Sequence, residues 1–277
     1  MHEWALLILT ICVPAAIGGF LFLALLHKKI ASSGQDPFNV MKLPLLVLAG
    51  FSIIGLFGAF FHLGKPTHAF YTILGFGRSW MSNEIVFTGA FIGLAFITAG
   101  LAILQKKTNR LLMLVTGLVG LMDVFCMASI YTATRINGWE NINTYLVLYG
   151  VVFTLGPVLA ASLMSTTLHP EMFKNIVKRA FAITIFGIGI QVIGTAILAV
   201  STPAMQLISG TTAVASLSAY GEMIAIRWAL EVAGLALLGF LAMASLKKVN
   251  DFLVYAAFAI FLIAEVMSRY LFYVMGA

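Results

Sequence analysis

The stretch WALLILTICVPAAIGGFLFLALLHKK, running from Trp4 to Lys29, carries no charged side chain until it closes on two lysines. Such a run exceeds the roughly 18 to 20 apolar residues that a helix needs to cross a hydrocarbon core. Similar runs recur along all 277 residues, 61% of which are hydrophobic and 9% charged, whereas about 25% of residues are charged in ordinary soluble domains. With no soluble-sized segment between the runs, the pattern predicts an all-α integral membrane protein forming one polytopic domain. Eight transmembrane helices are expected, at about 5–26, 44–62, 83–104, 110–132, 144–168, 178–200, 222–244 and 251–274, with Gly, Pro, Asn and Ser in the gaps. No basic segment precedes the first run and no clear small-residue cleavage site follows it, so the first span is expected to be uncleaved.

Charge sets the sidedness. The loops after spans 1, 3, 5 and 7 carry Lys28, Lys29, Lys42, Lys106, Lys107, Arg110, Lys174, Lys178, Arg179, Lys247 and Lys248, while the opposite loops carry Lys65, Arg78 and Arg135. By the positive-inside bias the first set faces the cytoplasm, and an even number of spans then puts both termini outside. The net charge of +6 is thereby explained by topology, with no need for a nucleic-acid partner. Gly89 and Gly93 form one GxxxG in span 3, which predicts a surface where a neighbouring helix approaches closely.

Several chemistries lack their ligands. The two cysteines, Cys12 and Cys126, lie inside apolar runs without a CxxC pattern, so neither a disulfide framework nor a protein-ligated iron–sulfur cluster is expected. All five histidines fall at span ends or in loops, which argues against a transmembrane haem chain. No glycine-rich nucleotide motif or nucleophile elbow is present.

One outward-facing stretch is different. FFHLGKPTHAFYTILGFGRSWMSNE, Phe60 to Glu84, gathers His62, Lys65, His68, Arg78 and Glu84 between two apolar runs. Part of it is helix punctuation: Gly64 and Pro66 suit the end of span 2, and Ser82 or Asn83 suits the capped start of span 3, with Glu84 near the positive end of the helix dipole. Trp80, Tyr71 and Lys65 suit an interfacial belt. His62 is least explained by such roles, and His2 and Glu3 approach it from the N-terminus on the same side. A group that titrates near neutrality, at the junction of water and oil, is suited to taking a proton from a lipid-soluble molecule.

A second signal lies deeper. Arg227 and Glu231 in span 7, and Glu265 and Arg269 in span 8, are each four residues apart, so each pair shares a helical face. Both arginines are expected roughly 7 to 8 Å below the outer surface, and both glutamates roughly 13 to 14 Å, with Asp123 of span 4 at the glutamates' level. Charges at such depth should face one another or a hydrated cavity. A buried salt-bridge network and a proton path or ligand pocket both fit, and both require spans 7 and 8 to be neighbours.

An outward polar pocket without redox ligands of its own is compatible with a quinol site. The ring would enter from the bilayer and shed protons there, passing electrons to a partner docked on the outer face. HEW at His2 to Trp4, HLGKP at His62 to Pro66, SNE at Ser82 to Glu84, GP at Gly156 and Pro157, and the ending through Glu265, Arg269, Phe272 and Tyr273 resemble the membrane anchor subunit family of bacterial dimethyl sulfoxide reductase. The resemblance spans nearly the whole chain.

It implies a bacterial inner-membrane protein with periplasmic termini, working in anaerobic respiration. It also implies that the chain anchors an iron–sulfur electron-transfer subunit and a molybdopterin catalytic subunit and oxidises menaquinol, with no haem or cluster ligated by the chain itself. The family ties the histidine of HLG and the glutamate of SNE to quinol handling, which assigns His62 as proton acceptor and ring ligand and Glu84 as relay or orienting group. Arg78 and Lys65 would then shape the pocket or contact the iron–sulfur partner, and Asp123 would line it. One departure follows span 4: where relatives tend to show a proline and a tryptophan, this chain has RINGWE, Arg135 to Glu140, with Gly138 before Trp139. The rival readings are a secondary transporter using the Arg227, Glu231, Glu265 and Arg269 layer, and a purely structural anchor.

Overall fold

A computed structural model describes residues 4–62, 69–202, 210, 217–243 and 251–275, with the side chains of residues 62, 69 and 70 outside that description. Among the described residues eight long helices follow one another: α1 (Trp4–Ser32) and α2 (Pro37–His62), α3 (Trp80–Gln105) and α4 (Arg110–Ala133), α5 (Asn143–Met164) and α6 (Pro170–Ser201), and α7 (Gly221–Met243) and α8 (Asp251–Val274). All eight are long and apolar enough to cross a membrane, and no strand occurs among the described residues. The chain is a multi-pass membrane protein. Its lipid-facing surface explains why large side chains such as Leu104 and Val200, 81% and 85% exposed, cost nothing: their solvent is hydrocarbon.

Several helices outrun the apolar runs. α1 continues to Ser32 and carries Lys28 and Lys29, α2 starts at Pro37 and carries Lys42, and α6 starts at Pro170 and carries Lys174, Lys178 and Arg179. These cations ride on helix ends and not in loops, where long aliphatic stems let the charged heads reach water. Local chemistry sets the starts: the Asn109 side chain accepts from the N–H groups of Leu111 and Leu112 at 2.9 and 3.2 Å, and Pro170 occupies the first turn of α6, where its missing donor is harmless. α3 begins at Trp80 with Ser79 as its N-cap. The expected cap at Ser82 or Asn83 is thereby corrected: Asn83 Oδ1 accepts from Gly77 N at 2.7 Å and braces the preceding turn. The expected role of Gly64 and Pro66 lies outside the described residues.

The helices form two closed rings of four. In one, α1 packs on α2, α2 on α3, α3 on α4, and α4 back on α1; in the other, α5 through α8 repeat that order. α1 and α5 join the rings. Their backbones touch, because a Cβ on Gly18 would lie 1.9 Å from Val152 O and one on Gly156 would lie 2.4 Å from Gly18 Cα. The expected close approach at Gly89 and Gly93 is not made within this chain: a Cβ at either would meet nothing within 4 Å among the described residues. Backbone-close packing occurs instead between single glycines on separate helices, a pairing that no motif along one helix announces.

Candidate functional site

The start of α3 places Glu84 at the beginning of its second turn, partly buried. Thr88 follows one turn on, and residues four apart share a face. Thr88 Oγ1 donates to Asp123 Oδ1 of α4 at 2.7 Å, and Asp123 is fully buried. The two helices pack side by side, so Glu84 and Asp123 sit on neighbouring helices. Asp123 Oδ2 has no hydrogen-bond partner among the described residues, which leaves an acceptor position for a water or a ligand donor.

Of the residues expected in this site, Asp123 is joined to α3 through Thr88, one turn on from Glu84. Arg78 is exposed on the turn ahead of α3, where its backbone N–H donates to Gly75 O at 2.9 Å. His62 is the last residue of α2. Its side chain, together with Lys65, His68, His2 and Glu3, lies outside the described residues. Aromatic rings wall the neighbourhood: Trp80 meets Phe125 edge-on at 5.7 Å, and Phe125 packs against Tyr145 at 5.5 Å.

Toward the second ring the polar groups continue. Tyr131 and Tyr273 hydroxyls are 2.9 Å apart, and Tyr273 also reaches Thr10 Oγ1 at 3.4 Å. Arg269 lies one turn before Tyr273 on α8. Trp139 closes the same end, with Nε1 donating to Phe272 O at 2.8 Å and its ring stacked on Phe272 at 5.7 Å. The departure RINGWE has a packing reason here: a Cβ on Gly138 would lie 1.8 Å from Met275 O.

In the second ring, α7 and α8 are neighbours, and Arg227, Glu231, Glu265 and Arg269 are all buried. The organising residue is one the sequence reading did not single out, Gln191 of α6. Its Nε2 donates to Glu265 Oε1 at 2.6 Å and to Thr154 Oγ1 at 3.3 Å, while its Oε1 accepts from Arg227 Nη2. Gly150 of α5 makes the room, since a Cβ there would strike Gln191 Cγ at 2.2 Å. The two helical i, i+4 pairs are thus tied across helices by a neutral amide, which satisfies a cation and an anion at once. Both Glu231 oxygens, Arg227 Nε and Arg269 Nη2 lack hydrogen-bond partners among the described residues. A cavity of about 100 Å³, lined by Arg227, Asn143, Ser268, Phe272 and Met275 among others, brings space for water to this layer. A single glutamine in an apolar run was the available sequence signal.

Among the described residues no group of three or more His, Cys, Asp or Glu could hold a metal ion. The family described as "DMSO reductase anchor subunit (DmsC)" matches residues 1–275. The protein is 32% identical over 170 residues to the C subunit of anaerobic dimethyl sulfoxide reductase from Escherichia coli (strain K12), covering 59% of this chain and 58% of that one. It is 30% identical over 188 residues to the corresponding subunit from Haemophilus influenzae, covering 66% of each. It is 27% identical over 168 residues to the YnfH subunit of anaerobic dimethyl sulfoxide reductase from Escherichia coli, covering 59% and 58%. The aligned part thus spans 58 to 66% of the length of these curated relatives. With a match over residues 1–275, the protein belongs to the DMSO reductase anchor subunit family.

Proposed function

We propose that the protein is the quinol-oxidising membrane anchor of a molybdopterin oxidoreductase complex in the bacterial inner membrane, working in anaerobic respiration. The observation that carries this reading is the buried Thr88–Asp123 pair one turn below Glu84, at the helix start that follows the His62 segment. Menaquinol enters from the bilayer and gives up two protons and two electrons, becoming menaquinone. His62 takes a proton from a ring hydroxyl, and Glu84 orients the imidazole or relays the proton outward. Asp123 lines the pocket with its open acceptor oxygen, while Lys65 and Arg78 shape the rim or contact the partner. The electrons pass to an iron–sulfur subunit docked on the periplasmic face, and then to a molybdopterin subunit that reduces dimethyl sulfoxide or a related acceptor.

The charge distribution supports this sidedness, because the lysine-rich helix ends belong on the cytoplasmic side and the His62 to Glu84 segment on the other. In the assembled complex, His62→Ala is expected to abolish quinol-driven acceptor reduction while an artificial donor still drives the catalytic subunit. Normal quinol turnover in that variant would refute the assignment. The Arg227-lined cavity supports a second reading, in which the buried charge layer of the second ring carries a solute or proton as a secondary transporter does. Uptake by the purified protein alone in liposomes would favour it.

A further inference from the structure

A groove of about 440 Å³ lies at the seam between the two rings. α1 and α4 supply one wall with Leu25 and Leu114, and α5 and α6 supply the other with Pro157 and Ile183. The glycine contact of α1 with α5 holds the inner edge closed, and Gly18 itself lines the groove. Leu25 and Phe186, 48% and 56% exposed, mark its opening toward lipid. From Gly18 to Leu25 the lining climbs about 10 Å along α1, which fits within one leaflet of a hydrocarbon core about 30 Å thick.

Its charged lining residue is Arg110, the first residue of α4 and therefore at headgroup depth. Arg110 Nε donates to Ala24 O of α1 at 3.1 Å, which pins the guanidinium at the rim while leaving its Nη groups as further donors. Arg179 stands one turn before Ala182 and Ile183, on the same stripe of α6 that lines the groove. Lys106 and Lys107 precede Arg110 in the short connection from α3. An apolar slot one leaflet deep, with cations at its mouth, matches an acyl chain with an anionic head. A phosphate diester carries the full negative charge that such a mouth favours, whereas a quinone offers only neutral carbonyl acceptors.

We propose that this groove holds one anionic phospholipid of the leaflet on the lysine-rich face, its acyl chain between Leu114 and Ile183 and its phosphate at Arg110 and Arg179. The lipid then fills the seam that the glycine contact leaves open and joins the two rings. The proposal does not rest on the quinol reading, because site and ligand are separate from those of Glu84 and Asp123.

The test is native mass spectrometry of the full-length protein, purified in its complex, stripped of lipid, and titrated with phosphatidylglycerol or phosphatidylcholine. One phosphatidylglycerol should be retained with about tenfold or greater preference over phosphatidylcholine. Arg179→Gln, which leaves the Arg110–Ala24 hydrogen bond in place, should weaken that preference, and adding Arg110→Gln should remove it. Leu114→Trp, which fills the groove, should abolish retention while the complex keeps its quinol-driven activity. Equal binding of the two lipids, or undiminished retention by Arg179→Gln and by Leu114→Trp, would overturn the proposal. So would recovery of a quinone in the groove in place of phospholipid.

Discussion

The hydroxyl oxygens of Tyr131 and Tyr273 lie 2.9 Å apart, one in the last turn of α4 and the other in the last turn of α8. Each comes from a different ring, so this is a hydrogen bond between the two halves of the molecule. Thr10 of α1 extends it at 3.4 Å. Replacing either tyrosine by phenylalanine is expected to cost about 0.6 kcal/mol and at most about 1.7, the average and the upper value for side-chain hydrogen bonds between membrane helices. The double variant should cost less than the sum of the singles. Thermal unfolding of the three purified variants measures the coupling, and strict additivity would show that the pair does not act as one contact.

Asp123 offers a cleaner separation of fold from chemistry. Asp123→Asn keeps an oxygen to accept from Thr88 Oγ1 and removes the carboxylate. The complex is expected to assemble normally while quinol-driven reduction falls by about 10- to 100-fold, as when a ligand loses its hydrogen bond to a charged acceptor in the pocket. Reduction driven by an artificial donor should be unchanged. Thr88→Val instead leaves the buried carboxylate without its described donor, and should lower stability by about 1 to 3 kcal/mol. Assaying both donors on both variants distinguishes the two effects.

Gln191 connects a cation and an anion through a single side chain. Gln191→Leu has a similar size but strands Arg227 and Glu265, and is expected to destabilise the protein by about 3 kcal/mol or more. The melting temperature of the purified complex should fall accordingly. An unchanged melting temperature would mean that water replaces the amide without loss.

Two glycine substitutions should differ sharply. Gly156→Ala drives a methyl group into the backbone of Gly18, which cannot swing away as a side chain could, so α1 and α5 must separate and the complex should lose thermal stability. Gly89→Ala meets open space and should stabilise α3 by up to about 1 kcal/mol, the usual gain in helix propensity. If Gly89→Ala instead prevents recovery of the complex, that outer face of α3 is occupied by a partner subunit.

The sequence made the spans legible because membrane helices are selected by length and hydrophobicity alone, both of which are local properties. The pairing of α7 with α8 followed from charges at equal depth, and the burial of Asp123 from its position within a span. Gln191 was not legible, since a neutral amide carries no charge to flag and its value depends on what three other helices bring to it. The start of α3 was misplaced by three residues because Asn83 looks like a cap in sequence, whereas its side chain turns back to Gly77 N. The Gly18 and Gly156 contact escaped for a similar reason: closeness between helices is decided by where two separate rows of side chains cross. For His62 and Lys65, the chemistry was read from residue type and neighbourhood.

The closed circuit of each four-helix ring constrains how the protein is made. Ring one is complete once α4 has left the ribosome, yet α1, most of whose residues are buried in the finished protein, still faces lipid with the backbone of Gly18 uncovered until α5 inserts. Synthesis therefore passes through a half-built species whose smoothest flank waits for its counterpart. A nascent polypeptide stalled between α4 and α5 would be the form most open to capture by insertases or by another copy of itself.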